Sequence, residues 1–312
     1  MVSGVRPIAS RRSLALATVL VALAAGGCGQ GSSSAGATGA AAAADGVELL
    51  YQAPPATLAR TAATLRRRLA ALGVDGATVA RAGAGRVAVT VPDRATADRV
   101  KGTLAVRGRL AFYDWEANVL GAAGRPHPGD VAVTGGMSAG SVGAGTHARA
   151  VARRIAARHR GAAVVVQAEP APRVAPGFFA LAAHVALRGT DLRHARQARD
   201  AITGKSDVAF AFTRAGARRW RTLTRTIARR GQALIRPGES SLVVAQHFAI
   251  VLDGRLLSVP FLDPQFNPDG VDAADGSQIS GAFTATRARG LAAVIASGPL
   301  PAALHLLAER ER

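Results

Sequence analysis

The stretch from residue 46 to residue 116 alternates between two hydrophobic periods, and this constrains the fold more than any other feature. "GVELLYQ" has the composition of a strand, and the apolar residues of 58–72 then recur at helical spacing until Gly73. "ATVARAG" and "RVAVTVP" alternate like the arms of a hairpin. A second helix is predicted over 95–106, and a closing strand in "RLAFYDW". The pattern therefore predicts the order βαββαβ.

This order is that of a ferredoxin-like unit, in which two helices cover one face of an antiparallel sheet. Three consecutive arginines, Arg66 to Arg68, lie within the predicted first helix. We expect them to lie largely on its wet side, as a solvated helix face rather than a specific anion contact.

The remainder of the chain mixes strands and helices without βαβ regularity. Helices are predicted over 146–159, from Asp191 onward, over 214–230 and over 284–296. Strands are predicted in "AAVVVQA", "FFALAAHVAL", "DVAFAFT" and "PAALHLLA". This mixture favours an α+β fold class for the whole chain.

"HFAIVLDGRLLSVP" reads as a hairpin about a two-residue turn at Asp253-Gly254, because both residues tolerate positive φ. Such a turn places Ile250 opposite Leu257 and Phe248 opposite Val259 on one heavy apolar face. We therefore interpret Asp253 as a turn residue rather than as an acid or a base.

The N-terminus is typical of an export signal. Arginines precede an apolar run over 14–25 that is too short to span a bilayer, so residues 1–27 are predicted to be a signal peptide. Cys28, the single cysteine, follows small residues and resembles the lipidated cysteine of a bacterial lipobox. The alternative is a small buried hydrophobic residue, but the position favours lipidation. "SRRSLAL" also resembles a twin-arginine signal, so the export route stays open.

Residues 28–45 comprise Cys28 and a low-complexity Gly/Ser/Ala segment that is predicted to be a flexible tether. Its reach when fully extended is about 55 Å. No later stretch is long or apolar enough to cross a membrane. We therefore expect a lipid-anchored protein on the extracytoplasmic face of the cell membrane, without a disulfide inside the chain.

The net charge of +19 comes almost entirely from arginine. Such a charge suits nucleic acid, anionic lipid or acidic polymers, and it also arises in GC-rich genomes, which enrich Ala, Gly and Arg together. The arginines are scattered, no nucleic-acid-binding motif accompanies them, and the export signal argues against nucleic acid as a partner.

The motifs for chemistry are weak. "GMSAG" fits the nucleophile elbow of a hydrolase at Ser138, but more glycines follow and no triad partners stand out. "GKS" at 204–206 lacks the first glycine of a phosphate loop, and the histidines have no metal-ligand spacing. The acidic loop 263–275 suits turns better than a cation site. No enzyme activity, cofactor or metal is predicted.

Several segments, in order, resemble the SecD family of protein-export membrane proteins. They are "RRRLAALGVDGATVARAGAGRVAVTVP", "LRGTDLRHAR", "VAFAFTRAGARRWRTLT", the hairpin "HFAIVLDGRLLSVP" and "QISGAFTATRARGLAAVIASGPLP". Val259 and Ile295-Ala296 depart from the family pattern, the acidic loop is longer than in the family, and residues 117–184 match poorly.

The resemblance implies the first large extracytoplasmic domain of that family. It divides the chain into a ferredoxin-like base over 46–116, an inserted α+β head over 117–298, and a last strand over 299–312 that closes the base. Family members continue into membrane helices that house a proton-driven motor, and this chain stops at Arg312. The implied function is a tethered binding module without its own motor.

That module would assist protein export by contact with Sec translocase subunits or emerging unfolded polypeptide. The alternatives are an envelope lipoprotein that binds a non-Sec partner, or a serine hydrolase that uses Ser138.

Overall fold

A computed structural model describes residues 46–120, 145–159, 163–168, 177–200, 203–274 and 276–312. Cys28 and Ser138 lie outside these ranges. The fold is α+β, as the sequence predicts. In the described ranges the helices are α1 (Leu58–Leu72), α2 (Arg94–Ala105), α3 (Trp115–Asn118), α4 (Gly145–Arg158), α5 (Arg214–Gln232) and α6 (Ala285–Ser297).

The strands of the same ranges form three sheets. They are β1 (Val47–Gln52), β2 (Thr78–Arg81), β3 (Arg86–Val91), β4 (Leu110–Asp114), β5 (Ala163–Ala168), β6 (Phe178–Ala182), β7 (Leu187–Arg188), β8 (Leu192–Arg199), β9 (Ser206–Phe212), β10 (Gln246–Leu252), β11 (Arg255–Ser258), β12 (Phe261–Leu262), β13 (Ser277–Phe283) and β14 (His305–Glu311).

The first sheet has the strand order β14-β1-β3-β2 and is antiparallel throughout. Helices α1 and α2 pack against it, and their shared core includes the fully buried Leu49, Leu65, Val89 and Leu104. We call this sheet with α1 and α2 the base. Gly73 ends α1 in the left-handed conformation at φ 67°, as predicted from the sequence.

The strand in "RLAFYDW", which was predicted to belong to the base over 46–116, lies elsewhere. β4, within "RLAFYDW", leaves the base and pairs with β10 and β7 in the second sheet. The place beside β1 is taken by β14, within residues 299–312, where the resemblance implies a strand that closes the base. β4 suits its interior position because Leu110, Phe112 and Tyr113 are all buried.

The other two sheets form what we call the head. One has the order β6-β5-β11-β10-β4-β7, with β12 on β10, and the other has the order β13-β9-β8. Aromatic rings fill the core of the head: Trp220 of α5 lies 5.1 Å from Phe248 and 5.3 Å from Phe212, measured between ring centroids. Such ring pairs stabilise a core beyond the area that they bury.

The helix predicted from Asp191 onward is wrong. Residues 189–191 form a short 3-10 turn and 192–199 form strand β8, which pairs with β9 and contacts α6. The arginine- and alanine-rich sequence favours a helix locally, but sheet pairing overrides that preference. At His194 the backbone has φ 54°, next to an irregularity in the pairing register.

The hairpin of β10 and β11 turns at Asp253-Gly254 as predicted, but its register differs. Ile250 lies opposite Ser258 rather than Leu257, because a bulge separates Ile250 from Val251. On the same side, the Phe248 amide donates a hydrogen bond of 3.1 Å to the Pro260 carbonyl, which continues the shifted register and not the predicted pair with Val259.

Helix α6 joins the two parts of the molecule. Its Ala293 belongs to the base core, whereas Ala288, Leu291 and Ile295 belong to the head core. A helix that is apolar on two faces in this way must be covered on both sides.

The two tyrosines of the chain, Tyr51 and Tyr113, report on the integrity of base and head. Burial raises both pKa values; the charge of Glu309 adds to the rise at Tyr51, and Arg188 opposes it at Tyr113. Unfolded tyrosine ionises near pH ~10. The raised values therefore contribute stability below that pH, and this stability is lost as the pH rises further. We expect tyrosinate absorbance near pH ~10 from the denatured chain only; ionisation of the folded chain there would contradict the burial.

Candidate functional site

Two chain segments connect the base to the head: residues 106–109, which lead from α2 to β4, and residues 298–300, which follow α6. We call these two segments the hinge. They are joined to each other, since the Leu300 amide donates a hydrogen bond of 2.7 Å to the Arg107 carbonyl. Any movement of the head relative to the base must involve this pair of segments.

The buried guanidinium of Arg68 holds both segments of the hinge. Arg68 belongs to α1 and is fully buried. Its donors reach the last carbonyls of α2 and the end of α6, so one side chain ties three helices together. The acceptors are the carbonyls of Thr103 (3.1 Å), Leu104 (3.0 Å), Val106 and Gly298 (3.1 Å), and the hydroxyl of Ser297 (3.0 Å).

Unpaired carbonyls at helix ends carry partial negative charge, which suits a buried cation. Burial lowers the pKa of Arg68 to about 10, opposed by the negative charge of Asp253. Arg68 therefore stays charged at neutral pH. Its predicted place on the wet side of α1 is wrong, because it lies at helical spacing from the buried Leu65 and Leu72.

Asp253, at the turn of the hairpin, holds the first hinge segment from the head side. Its carboxylate accepts hydrogen bonds from the amides of Gly108 (2.9 Å) and Arg109 (2.8 Å). Its own amide donates to the Arg109 carbonyl at 3.1 Å, and its φ is 51°. The predicted turn is confirmed, and the side chain has this further contact, which the sequence did not indicate.

Gly108 is the point of closest approach in the hinge. Its φ of 83° favours glycine, and a Cβ there would lie 3.0 Å from Val294 and 3.3 Å from the Arg68 guanidinium. Any other residue would be strained at this φ and would require the side chains of Val294 and Arg68 to shift.

A cleft of about 550 Å³ adjoins the hinge on the side of β4, β5 and Pro299. A second one, of about 510 Å³, lies between the hairpin, the end of α2 and the start of α6. We call the second the hinge cleft, and it is mainly apolar with charged groups beside it. Its lining includes Val106, Leu252, Leu257, Phe283, Leu291 and Val294, with Asp253, Arg255 and Arg287.

Two motifs of the sequence meet in the head. Asp191 of "LRGTDL" is buried; one carboxylate oxygen accepts from the Arg188 amide at 2.9 Å and the other pairs with Arg219 of "GARRW". Gly216 allows this approach, since a Cβ there would lie only 2.2 Å from the Asp191 carbonyl oxygen. These motif residues therefore have a packing role.

A buried ionic network lies where α5 ends. Arg230 donates two hydrogen bonds to Asp114 (2.6 and 3.0 Å), and His247 Nδ1 lies 2.7 Å from Glu116. Burial alone would lower the pKa of Arg230, but hydrogen bonding to Asp114 and the charges of Asp114 and Glu116 raise it overall. A His–Glu pair could serve a nucleophile. However, Ser138 lies outside the described residues, so nothing places it there.

The remaining candidates have ordinary turn roles. Asp263 and Asp272 accept hydrogen bonds from amides two residues ahead, at 2.9 and 3.1 Å, as turn-forming residues do. "GKS" begins in the turn between β8 and β9 and does not precede a helix. The described ranges contain no group of side chains suited to a metal, and no helix in them is long and apolar enough to span a bilayer.

Two family models match the chain in order. The N-terminal part of the P1 domain of protein translocase subunit SecDF matches residues 58–117, and the SecDF P1 head subdomain matches residues 164–302. The first match continues through the hinge segment 106–109 into β4 and α3, and the second covers most of the head and the hinge segment 298–300.

Curated relatives agree with these models. The protein translocase subunit SecD of Acetobacter pasteurianus is 26% identical over 246 residues, which are 79% of this chain and 36% of that protein. SecD of Koribacter versatilis is 31% identical over 133 residues, 43% of this chain and 20% of that protein. The chain thus spans about a third or less of their length.

A solved structure of SecDF in its super-membrane-facing form has the same fold. The match has 20% sequence identity and a TM-score of 0.52, and it covers 85% of this chain and 30% of the SecDF chain.

Replacing Arg68 by methionine tests the role of its guanidinium. Arg68→Met leaves the carbonyls at two helix ends without their buried donor, so we expect the free energy of unfolding in urea to fall by about 3 kcal/mol or more. The matched control is Arg60→Met on the exposed side of α1, where a change within about 0.5 kcal/mol is expected. Equal stabilities of the two variants would contradict the role given to Arg68.

Proposed function

The chain belongs to the SecD/SecDF family through its P1 domain, and from this premise we propose that it is an extracytoplasmic binding module that assists protein export. The observation that carries the proposal is the ordered match of both parts of the P1 domain, over residues 58–117 and 164–302. Its partners would be Sec translocase subunits or polypeptide that emerges unfolded from the membrane. No catalytic step is proposed.

The hinge cleft is our candidate for the contact with polypeptide. Its apolar lining suits hydrophobic side chains of an extended segment, and Arg255 and Arg287 lie beside it for polar groups. Both the base and the head contribute to its walls, through Thr103 of α2 and Leu257 of β11. A segment in the cleft would therefore contact both parts at once.

Binding in such a cleft can change the position of the head. A ligand shifts a conformational equilibrium only by its difference in affinity for the two states. Because the cleft is walled from both sides of the hinge, opening or closing would change its contacts with a bound segment. The hydrogen bonds of Arg68 and Asp253 would restrict this movement to the hinge segments.

We also propose that Cys28 is lipidated and that residues 28–45 tether the domain to the membrane. The support is the export-signal pattern of residues 1–27 and the small residues before the single cysteine. A tether with a reach of about 55 Å keeps the domain close to the bilayer.

Photo-crosslinking in intact cells tests the proposal. A photoreactive residue in place of Thr286, an exposed residue of the hinge cleft, should yield adducts with exported chains or translocase subunits. The matched control is Thr78, an exposed residue of β2 in the base sheet that does not line the cleft. A photoreactive residue there should yield markedly fewer such adducts.

The same cells with Cys28→Ser test the anchor. We expect the protein to leave the membrane fraction and to lose labelling by a fatty-acid analogue. Adducts at Thr286 with unrelated envelope proteins alone would contradict the export role and favour a repurposed lipoprotein. An unlabelled Cys28 in the parent protein would contradict the anchor only.

A further inference from the structure

Helix α5 carries a continuous stripe of arginines on its outer side. The helix contains seven arginines and no Asp or Glu. Five of them recur at intervals of three or four residues, so they share one face over about 22 Å. We call these five the arginine stripe: Arg214, Arg218, Arg221, Arg225 and Arg229.

The stripe faces away from the core. Arg214, Arg218, Arg221 and Arg229 are exposed, and among the described residues none of these four has a carboxylate within ion-pairing distance. The two other arginines of the helix, Arg219 and Arg230, lie off this face and pair with Asp191 and Asp114, as described above.

One part of the stripe has acidic neighbours. Arg225 is half-buried and its Nε donates to the Asp269 carbonyl at 3.4 Å, where the acidic loop passes the helix. Asp272 follows Asp269 in the same loop, and Glu239 lies seven residues beyond the end of α5 in the sequence. The five arginines of the stripe outnumber these three acidic residues.

Exposed apolar side chains surround the C-terminal end of the same helix. Gly231 marks this end, where a Cβ would lie 3.1 Å from Pro264 and 3.2 Å from the Val244 carbonyl. Seven large apolar side chains are exposed in the described ranges. Five of them lie within four residues, along the sequence, of Gly231, Val244 or Pro264. We call them the apolar tip: Leu234 (49% exposed), Ile235 (40%), Leu242 (59%), Val243 (75%) and Phe266 (81%).

We propose that the arginine stripe and the apolar tip form a surface by which the head docks on an anionic phospholipid membrane. Guanidinium groups complement lipid phosphates in charge and in geometry, and each basic residue near such a surface adds attraction. Exposed apolar side chains at the end of a basic helix can enter the boundary between headgroups and acyl chains. The combination distinguishes this surface from the other exposed arginines of the chain.

The surface would act together with the tether rather than in place of it. Stable attachment to a membrane commonly combines a lipid chain with a basic patch. Docking would orient the head on the membrane plane, which a flexible tether cannot do. This inference does not depend on the export role, because it concerns lipid binding by α5 and not the hinge cleft.

Vesicle co-sedimentation tests the surface. The full chain with Cys28→Ser, which removes the anchor from every sample, is mixed with vesicles of phosphatidylcholine with or without phosphatidylglycerol. We expect binding that needs phosphatidylglycerol and weakens with salt. The triple variant R218Q/R221Q/R229Q should bind about a hundredfold more weakly, the effect of three arginines near an anionic surface.

A triple variant with the same loss of charge is the control: R60Q/R81Q/R99Q changes exposed arginines of the base and should keep the binding nearly unchanged. Similarly, V243S/F266S should weaken binding to the anionic vesicles, whereas L306S/L307S, which changes the other two exposed large apolar side chains of the described ranges, on β14, should not. Near-identical thermal unfolding of the variants verifies that they fold.

For the unsubstituted surface, hydrogen exchange on the same vesicles should show protection at residues 234–243. The proposal is overturned if both arginine triples weaken binding equally, if phosphatidylglycerol has no effect, or if the tip is not protected. Failure here would leave the crosslinking result at Thr286 untouched, so the two proposals fail separately.

Discussion

The placement of one buried cation, the Arg68 guanidinium, is the constraint on which the two-part structure depends. A charge in the core is costly unless acceptors surround it. Here the acceptors are the ends of α2 and α6, the helices from which the two hinge segments leave. The same hydrogen bonds therefore satisfy the charge, cap two helices and fix the connection between base and head. Asp253 completes this arrangement from the hairpin side.

Much of the fold could be predicted from local patterns in the sequence. The predictions failed where the pairing of strands that are far apart in the sequence determines the structure. The base helices, the long helix α5 and the Asp253-Gly254 turn follow from spacing and turn chemistry. Periodicity identifies a strand but not its partner, so β4 was assigned to the base although it pairs within the head. Strand β8 was missed because Arg and Ala favour a helix unless a neighbouring strand pairs with them.

The candidate site was less predictable, because its atoms come from segments far apart in the sequence. Helical spacing could have placed Arg68 on the apolar face of α1, but an arginine there is normally assigned to solvent. Only the tertiary structure shows the helix ends that accept its hydrogen bonds. Similarly, local rules identify Asp253 as a turn residue. Its hydrogen bond from the Gly108 amide depends on the packing of the hairpin against the hinge. The cysteine at position 28 stays a prediction from sequence.

The central claim is that the hinge is held by specific side-chain contacts, and hydrogen exchange at its amides tests this most directly. Asp253→Asn keeps a residue that tolerates positive φ but removes the charged acceptor of the Gly108 and Arg109 amides. We expect exchange at these two amides to accelerate about tenfold or more, while the strands of the base stay protected. The exposed turn residue Asp75, changed to Asn, is the matched control. Unchanged exchange at Gly108 and Arg109 in Asp253→Asn would contradict the account.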